Sequence, residues 1–114
     1  MSIQSVAIIG LGLLGGSIGL AIKERAPNIR TTGYDADADV RAKASERGLV
    51  GTVCESAAEA VLGADLVILC VPVGAMKSAA FEIADHLKKG TIVSDVGSSK
   101  QSVLDDLSAT LPGV

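Results

Sequence analysis

Apolar residues along this chain follow two alternating rhythms. Short unbroken runs, each closed by Gly, Pro or Asp, alternate with stretches in which apolar residues return every three or four positions. Val6–Ile9 is the first such run, ends at Gly10 and predicts a buried strand. Leu14, Ile18, Ala21 and Ile22 then recur at i, i+4, i+7 and i+8, one face of a helix that closes before Pro27. Arg30–Tyr34 predicts a second strand, ending at Asp35; Asp37 or Asp39 caps a helix running to about Arg47, with Gly48 as its stop. Thr52–Cys54 predicts a short third strand. Ser56 caps a small helix, Ala57–Leu62, with Glu59 three residues on in the capping-box position. Leu66–Val71, the most hydrophobic run, predicts a fourth strand that stops at Pro72. A helix over about Ala75–Lys88 puts Ala79, Ala80, Ile83 and Leu87 on one face, and Thr91–Asp95 predicts a fifth strand. From about Ser99 a last helix carries Val103, Leu104, Leu107 and Leu111, ended by Pro112-Gly113.

Strict alternation of strand and helix implies parallel strands joined by crossovers, hence an α/β fold. The expected architecture is a Rossmann-type doubly wound parallel sheet of order 3-2-1-4-5, truncated before a sixth strand, because the sequence stops where that strand would begin. At 114 residues the chain makes one domain, residues 1–114, with no internal repeat, low-complexity segment or linker.

Composition narrows the possibilities. The apolar residues are mostly Ala, Val, Ile and Leu, with one Phe, one Tyr and no Trp, which suits parallel strands buried on both faces. A formal charge of −3 and scattered basic residues argue against a nucleic-acid footprint or a polybasic membrane patch. Cys54 and Cys70 form no CxxC pair and have no His-rich neighbourhood, so the expectation is two free thiols, no metal site and a reducing cytoplasm. The apolar N-terminal stretch is broken by five glycines and has no Lys or Arg before it, which excludes a leader or membrane span.

Chemistry concentrates in Gly10-Leu11-Gly12-Leu13-Leu14-Gly15. This is GxGxxG placed directly between a strand and a helix, the arrangement that binds a dinucleotide. Gly10 permits the tight turn, Gly12 lets a pyrophosphate approach the backbone, and Gly15 lets helix and strand pack closely. Phosphate charge then sits on free N–H groups at the helix N-terminus. Packing alone would account for Gly15, Gly16 and Gly19 but leaves Gly10 and Gly12 unexplained. Asp35, about 20 residues past the motif, stands where an acid accepts hydrogen bonds from the adenosine ribose; the plainer alternative is a turn or capping aspartate. Asp37 and Asp39 follow it and no arginine is adjacent, so NAD is expected over NADP. Val71, Pro72 and Val73 follow the fourth strand and line the middle of the crevice. Ser98, after the fifth strand in SDVGSSK, offers a hydroxyl to the cofactor or to the reaction, or caps the next helix, as Ser99 does; Lys100 reads as a solvated first-turn residue.

The segments IIGLGLLGGSIGLAIK, GYDAD, GADLVILCVPV and IVSDVGSSK, in this order, resemble the nicotinamide-binding domain of prephenate and arogenate dehydrogenases of tyrosine biosynthesis. The resemblance implies NAD-dependent oxidative decarboxylation of prephenate or arogenate, with a serine matching Ser98 near the nicotinamide and the reacting hydroxyl. Relatives of the 3-hydroxyacid dehydrogenase type share much of the pattern, and a stand-alone NAD-responsive binding module is the alternative of a different class. The family also uses a histidine in a Gly-His-Pro segment, and a helical domain that binds substrate and forms a homodimer. Here the only histidine, His86, lies in ADHLKKG on a crossover helix. The expectation is therefore a cofactor domain whose parent is an enzyme and which alone binds NAD without turning over substrate.

Overall fold

The computed structural model describes residues 3–95 of the chain. Five strands, β1 (Ser5–Ile9), β2 (Arg30–Tyr34), β3 (Thr52–Val53), β4 (Leu66–Leu69) and β5 (Ile92–Asp95), alternate with four helices. These are α1 (Leu13–Arg25), α2 (Ala38–Arg47), α3 (Ala57–Val61) and α4 (Val73–Ala84). Every strand pairing is parallel and the sheet order is β3-β2-β1-β4-β5, as the alternation predicts. Strand order reverses between β1 and β4, so the crevice of a doubly wound sheet opens at the carboxyl ends of these two strands.

Side-chain alternation on the central strands divides the core. Val6 and Ile8 of β1, with Leu66 and Ile68 of β4, pack with Ile18, Ile22 and Ala44 from α1 and α2. Ala7 and Ile9, with Val67 and Leu69, meet Ala57, Ala60, Val61 and Ile83 from α3 and α4 on the other face. Val6, Ile8 and Ile68 are wholly enclosed, and a buried side chain of this size contributes about 1.5–3 kcal/mol. The small helices depend on caps read from the sequence: Asp37 accepts from the N–H of Asp39, and the Ser56 hydroxyl from that of Glu59. Gly48 ends α2 in the left-handed conformation at φ 63°.

Three expectations change. Strand β4 ends at Leu69, two residues before the predicted end, although the Cys70 N–H still donates to the Ile9 carbonyl at 2.7 Å. Helix α4 starts at Val73 rather than Ala75, since Pro72 serves as its N-cap and Gly74 is accommodated in the first turn; it ends at Ala84. Ala80 is exposed, and the inward face of α4 is formed by Met76, Ala79 and Ile83. The predicted last helix and Ser98, Ser99 and Lys100 lie outside the described residues.

One approach of backbone to backbone sets the geometry of the site. A Cβ on Gly15 would lie 1.8 Å from the Gly10 carbonyl oxygen, and one on Gly19 would lie 2.2 Å from that of Leu49. The first turns of α1 thus rest directly on the loop that leaves β1. Gly15→Ala is expected to cost about 1–3 kcal/mol or more by overpacking, read as a lower urea midpoint at unchanged m-value; an unaltered midpoint would contradict this contact.

At the opposite end of the sheet, Asp65 precedes β4. One carboxylate oxygen accepts from the backbone N–H groups of Gln4 (2.8 Å) and Ser5 (3.2 Å). The other pairs with Lys88 Nζ at 2.6 Å. These partners, Lys88 foremost and then the Gln4 N–H, hold the Asp65 carboxyl below its ordinary value of 3.8. A depressed carboxyl stabilises the fold above its unfolded-state pKa, and that contribution is lost as pH falls through the lowered value. Between about pH 5 and pH 2 the Asp65→Asn variant should lose stability less steeply than the native chain in denaturant titrations at successive pH values. Parallel slopes would show that this carboxylate does not govern acid unfolding.

Candidate functional site

The loop leaving β1 turns at Gly10, whose φ of 102° is closed to ordinary side chains. Sterics forbid one as well: a Cβ here would lie 2.5 Å from the carbonyl oxygen of Cys70, just past the end of neighbouring β4. Leu11 follows and points inward. It is 3% exposed, and its methyl groups occupy the space beside Gly33 that a side chain on β2 would otherwise fill. Gly12 then caps α1 with no side-chain hydrogen bond, and the first turn carries no acidic residue. The first intrahelical bond runs from the Gly16 N–H to the Gly12 carbonyl, so the amides of the preceding turn face outward from a positive helix end.

Gly12 differs from its neighbours. Its φ of −68° is open to any residue, and a Cβ there would meet nothing within 4 Å. The fold itself therefore explains Gly10 and Gly15, and leaves Gly12 without a packing reason. The space beside it is a cavity of about 380 Å³ at the carboxyl edge of the sheet. Gly10, Gly12, Tyr34 and Asp35 line one side of this cavity, and Val71, Pro72, Ala75 and Ala79 another.

Asp35 is half-buried at the end of β2. Its Oδ2 accepts from the Leu11 N–H at 2.8 Å and its Oδ1 from the Asp37 N–H at 2.9 Å, so the carboxylate ties the glycine loop to the turn after β2. In sequence no arginine adjoins it, but the structure corrects this. Arg41, six residues on in α2, donates from Nη1 to the Asp35 carbonyl at 2.7 Å and lies over the Tyr34 ring, 5.5 Å from its centroid. The signal is tertiary: the first turn of α2 folds back over the end of β2.

Of the residues singled out in the sequence, Gly10, Gly12, Asp35, Val71 and Pro72 come together around this cavity. Leu11 contributes its amide rather than its side chain. Leu13 is 92% exposed and borders a separate groove of about 330 Å³ between α1 and α2, while Leu14 packs against the core. Gly15 lies beneath the Gly10 carbonyl. Val73 is the first residue of α4, and Ser98 lies outside the described residues. Ala57, Ser78 and Glu82 also line the cavity and were not anticipated; the i, i+4 spacing of Ser78 and Glu82, like that of Ala75 and Ala79, is the signal that places them on one face of α4.

Both thiols are shifted away from the thiolate form. Burial pushes Cys70 up to about 12, and burial together with the nearby Glu59 carboxylate raises Cys54. Both cysteines are free. Exposed His86 follows the C-terminal end of α4, two residues before the Lys88 that pairs with Asp65 at the end of the sheet opposite the cavity. Among the described residues no cluster of three or more His, Cys, Asp or Glu side chains is placed to hold a metal, and no helix is long and apolar enough to cross a membrane.

Comparison with known proteins shows the family. The sequence profile of the prephenate dehydrogenase nucleotide-binding domain matches residues 18–114. The cyclohexadienyl dehydrogenase of Zymomonas mobilis is 44% identical over 109 residues, covering 96% of this chain and 37% of that protein. The prephenate dehydrogenase of Bacillus subtilis is 34% identical over 110 residues, 96% of this chain and 30% of that protein. Among solved structures, prephenate dehydrogenase from A. aeolicus in complex with hydroxyphenyl propionate and NAD+ superposes with a TM-score of 0.74 at 26% identity, over 83% of this chain and 34% of that one. Synechocystis arogenate dehydrogenase gives a TM-score of 0.75 at 26% identity, over 96% and 38%. The chain thus spans between 30% and 38% of the length of these relatives. It belongs to the prephenate dehydrogenase family and corresponds to that family's nucleotide-binding domain.

Proposed function

We propose that this chain binds NAD as the cofactor domain of a dehydrogenase that oxidatively decarboxylates prephenate or arogenate in tyrosine biosynthesis. Gly12 carries the reading. It is a glycine whose bareness neither backbone conformation nor packing requires, at the mouth of a cavity beside uncapped helix amides. A pyrophosphate at that point would accept from the first-turn N–H groups of α1 and lie along the helix axis, where negative charge is stabilised. The Asp35 carboxylate would receive the adenosine ribose hydroxyls, with the adenine in the apolar slot between Val71, Pro72, Ala75 and Ala79. With Asp35 charged and Asp37 beside it, a ribose 2′-phosphate meets like charge, which favours NAD over NADP.

A nicotinamide held here would supply the hydride acceptor for the cyclohexadienol carbinol carbon, with the ring carboxyl leaving as carbon dioxide as the ring becomes aromatic. Aromatisation drives this reaction, so the task of these residues is alignment. Ser98 is proposed to stand near the reacting hydroxyl. His86, toward the opposite end of the sheet, is not a candidate for proton transfer there. Substrate binding and the homodimer are assigned to sequence of the helical type found in the family, and the setting to a reducing cytoplasm.

Calorimetric titration with NAD tests the reading directly. The native chain should bind NAD, and Gly12→Val should weaken binding by about tenfold or more, about 1.4 kcal/mol, while its urea midpoint stays unchanged. No binding to the native chain, or equal affinity in the variant, would remove the glycine loop from its assigned role.

A further inference from the structure

We propose that Arg41 is a latent 2′-phosphate ligand, anchored on the main chain of Asp35 and masked by the carboxylate of that same residue. The inference rests on the nucleotide-site reading above and concerns a residue that reading does not use. Arg41 is anchored by contacts that do not involve the Asp35 side chain. Its Nη1 donates to the Asp35 carbonyl at 2.7 Å and to the Ala36 carbonyl at 3.4 Å, and its guanidinium lies over Tyr34. Guanidinium and carboxylate are therefore fastened to the same residue, one through its main chain and the other as its side chain. Removing the carboxylate leaves the arginine in place.

Two further donors become free at the same point. The Leu11 and Asp37 N–H groups, now bound to the two carboxylate oxygens at 2.8 and 2.9 Å, lose their acceptor when the side chain is shortened. Two converging backbone amides and a planar five-donor cation are what a phosphate dianion requires. An uncharged small residue at position 35 thus uncovers an anion site; the aspartate fills it with its own negative charge. Asp37 and Asp39 oppose an incoming phosphate. Asp37, however, is turned to the N-terminus of α2, where its Oδ1 accepts from the Asp39 N–H at 2.8 Å.

The test compares NAD, NADP and 2′,5′-ADP binding by calorimetry in the native chain, Asp35→Ser, and Asp35→Ser combined with Arg41→Gln. Asp35→Ser should bind NADP and 2′,5′-ADP about tenfold or more tightly than the native chain does, the size expected of a charge-assisted hydrogen bond. Adding Arg41→Gln should abolish that gain and leave NAD affinity where Asp35→Ser put it. No gain in Asp35→Ser overturns the proposal, as does a gain that survives Arg41→Gln. A purely structural arginine would weaken NAD and NADP alike, which also refutes it. If loss of the loop tie unfolds Asp35→Ser, Asp35→Asn keeps an acceptor for the Leu11 amide and is judged by the same criteria. Absence of NAD binding in the native chain would refute the cofactor assignment instead, and 2′,5′-ADP would still decide the role of Arg41.

Discussion

The carbonyl oxygen of Gly10 occupies the position a side chain at residue 15 would need, and much of the structure is arranged around that contact. Because α1 begins directly on the loop that leaves β1, its amino end points along the carboxyl edge of the sheet. Leu11, caught between the two, is driven into the core, and β2 answers with a glycine at position 33 to receive it. The cavity is a consequence: helix end, strand end and neighbouring strand converge, and no side chain of the loop fills the gap.

Central strand β1 is tied at both ends by aspartates acting on main-chain amides. Asp65 holds Gln4 and Ser5 where the strand begins, and Asp35 holds Leu11 just beyond where it stops. The first is backed by Lys88; the second has no salt-bridge partner within 4 Å among the described residues, where Arg41 donates to its main-chain carbonyl. One carboxylate is thus paired within the fold while the other borders the crevice.

Much of this was legible in the sequence because it is local. The Ser56–Glu59 cap, the Gly48 stop and the strand–GxGxxG–helix order each depend on residues a few positions apart, and alternation of period fixed the parallel topology. What the sequence concealed depends on distant partners. Gly10 was legible as the glycine of a tight turn, but the Cys70 carbonyl, sixty residues on, which also excludes a side chain there, was not. No arginine adjoins Asp35 in sequence, and the fold-back of α2 brings Arg41 over Tyr34 and Asp35. Ala80 matched the apolar rhythm of its helix but fell outside the inward stripe. An alanine matches either face, so periodicity did not place it.

The tie between Asp35 and the two backbone amides also sets a limit on what else this side chain can hold. A carboxylate offers roughly four lone-pair positions. One on each oxygen is engaged, by Leu11 and by Asp37. Two remain, one per oxygen, on a group whose rotation is already arrested by its amide partners. That vacancy has the valence of a vicinal diol: two adjacent hydroxyls can each find an acceptor without the side chain turning. A guest of this kind meets a receptor whose orientational entropy was surrendered when the chain folded rather than at encounter.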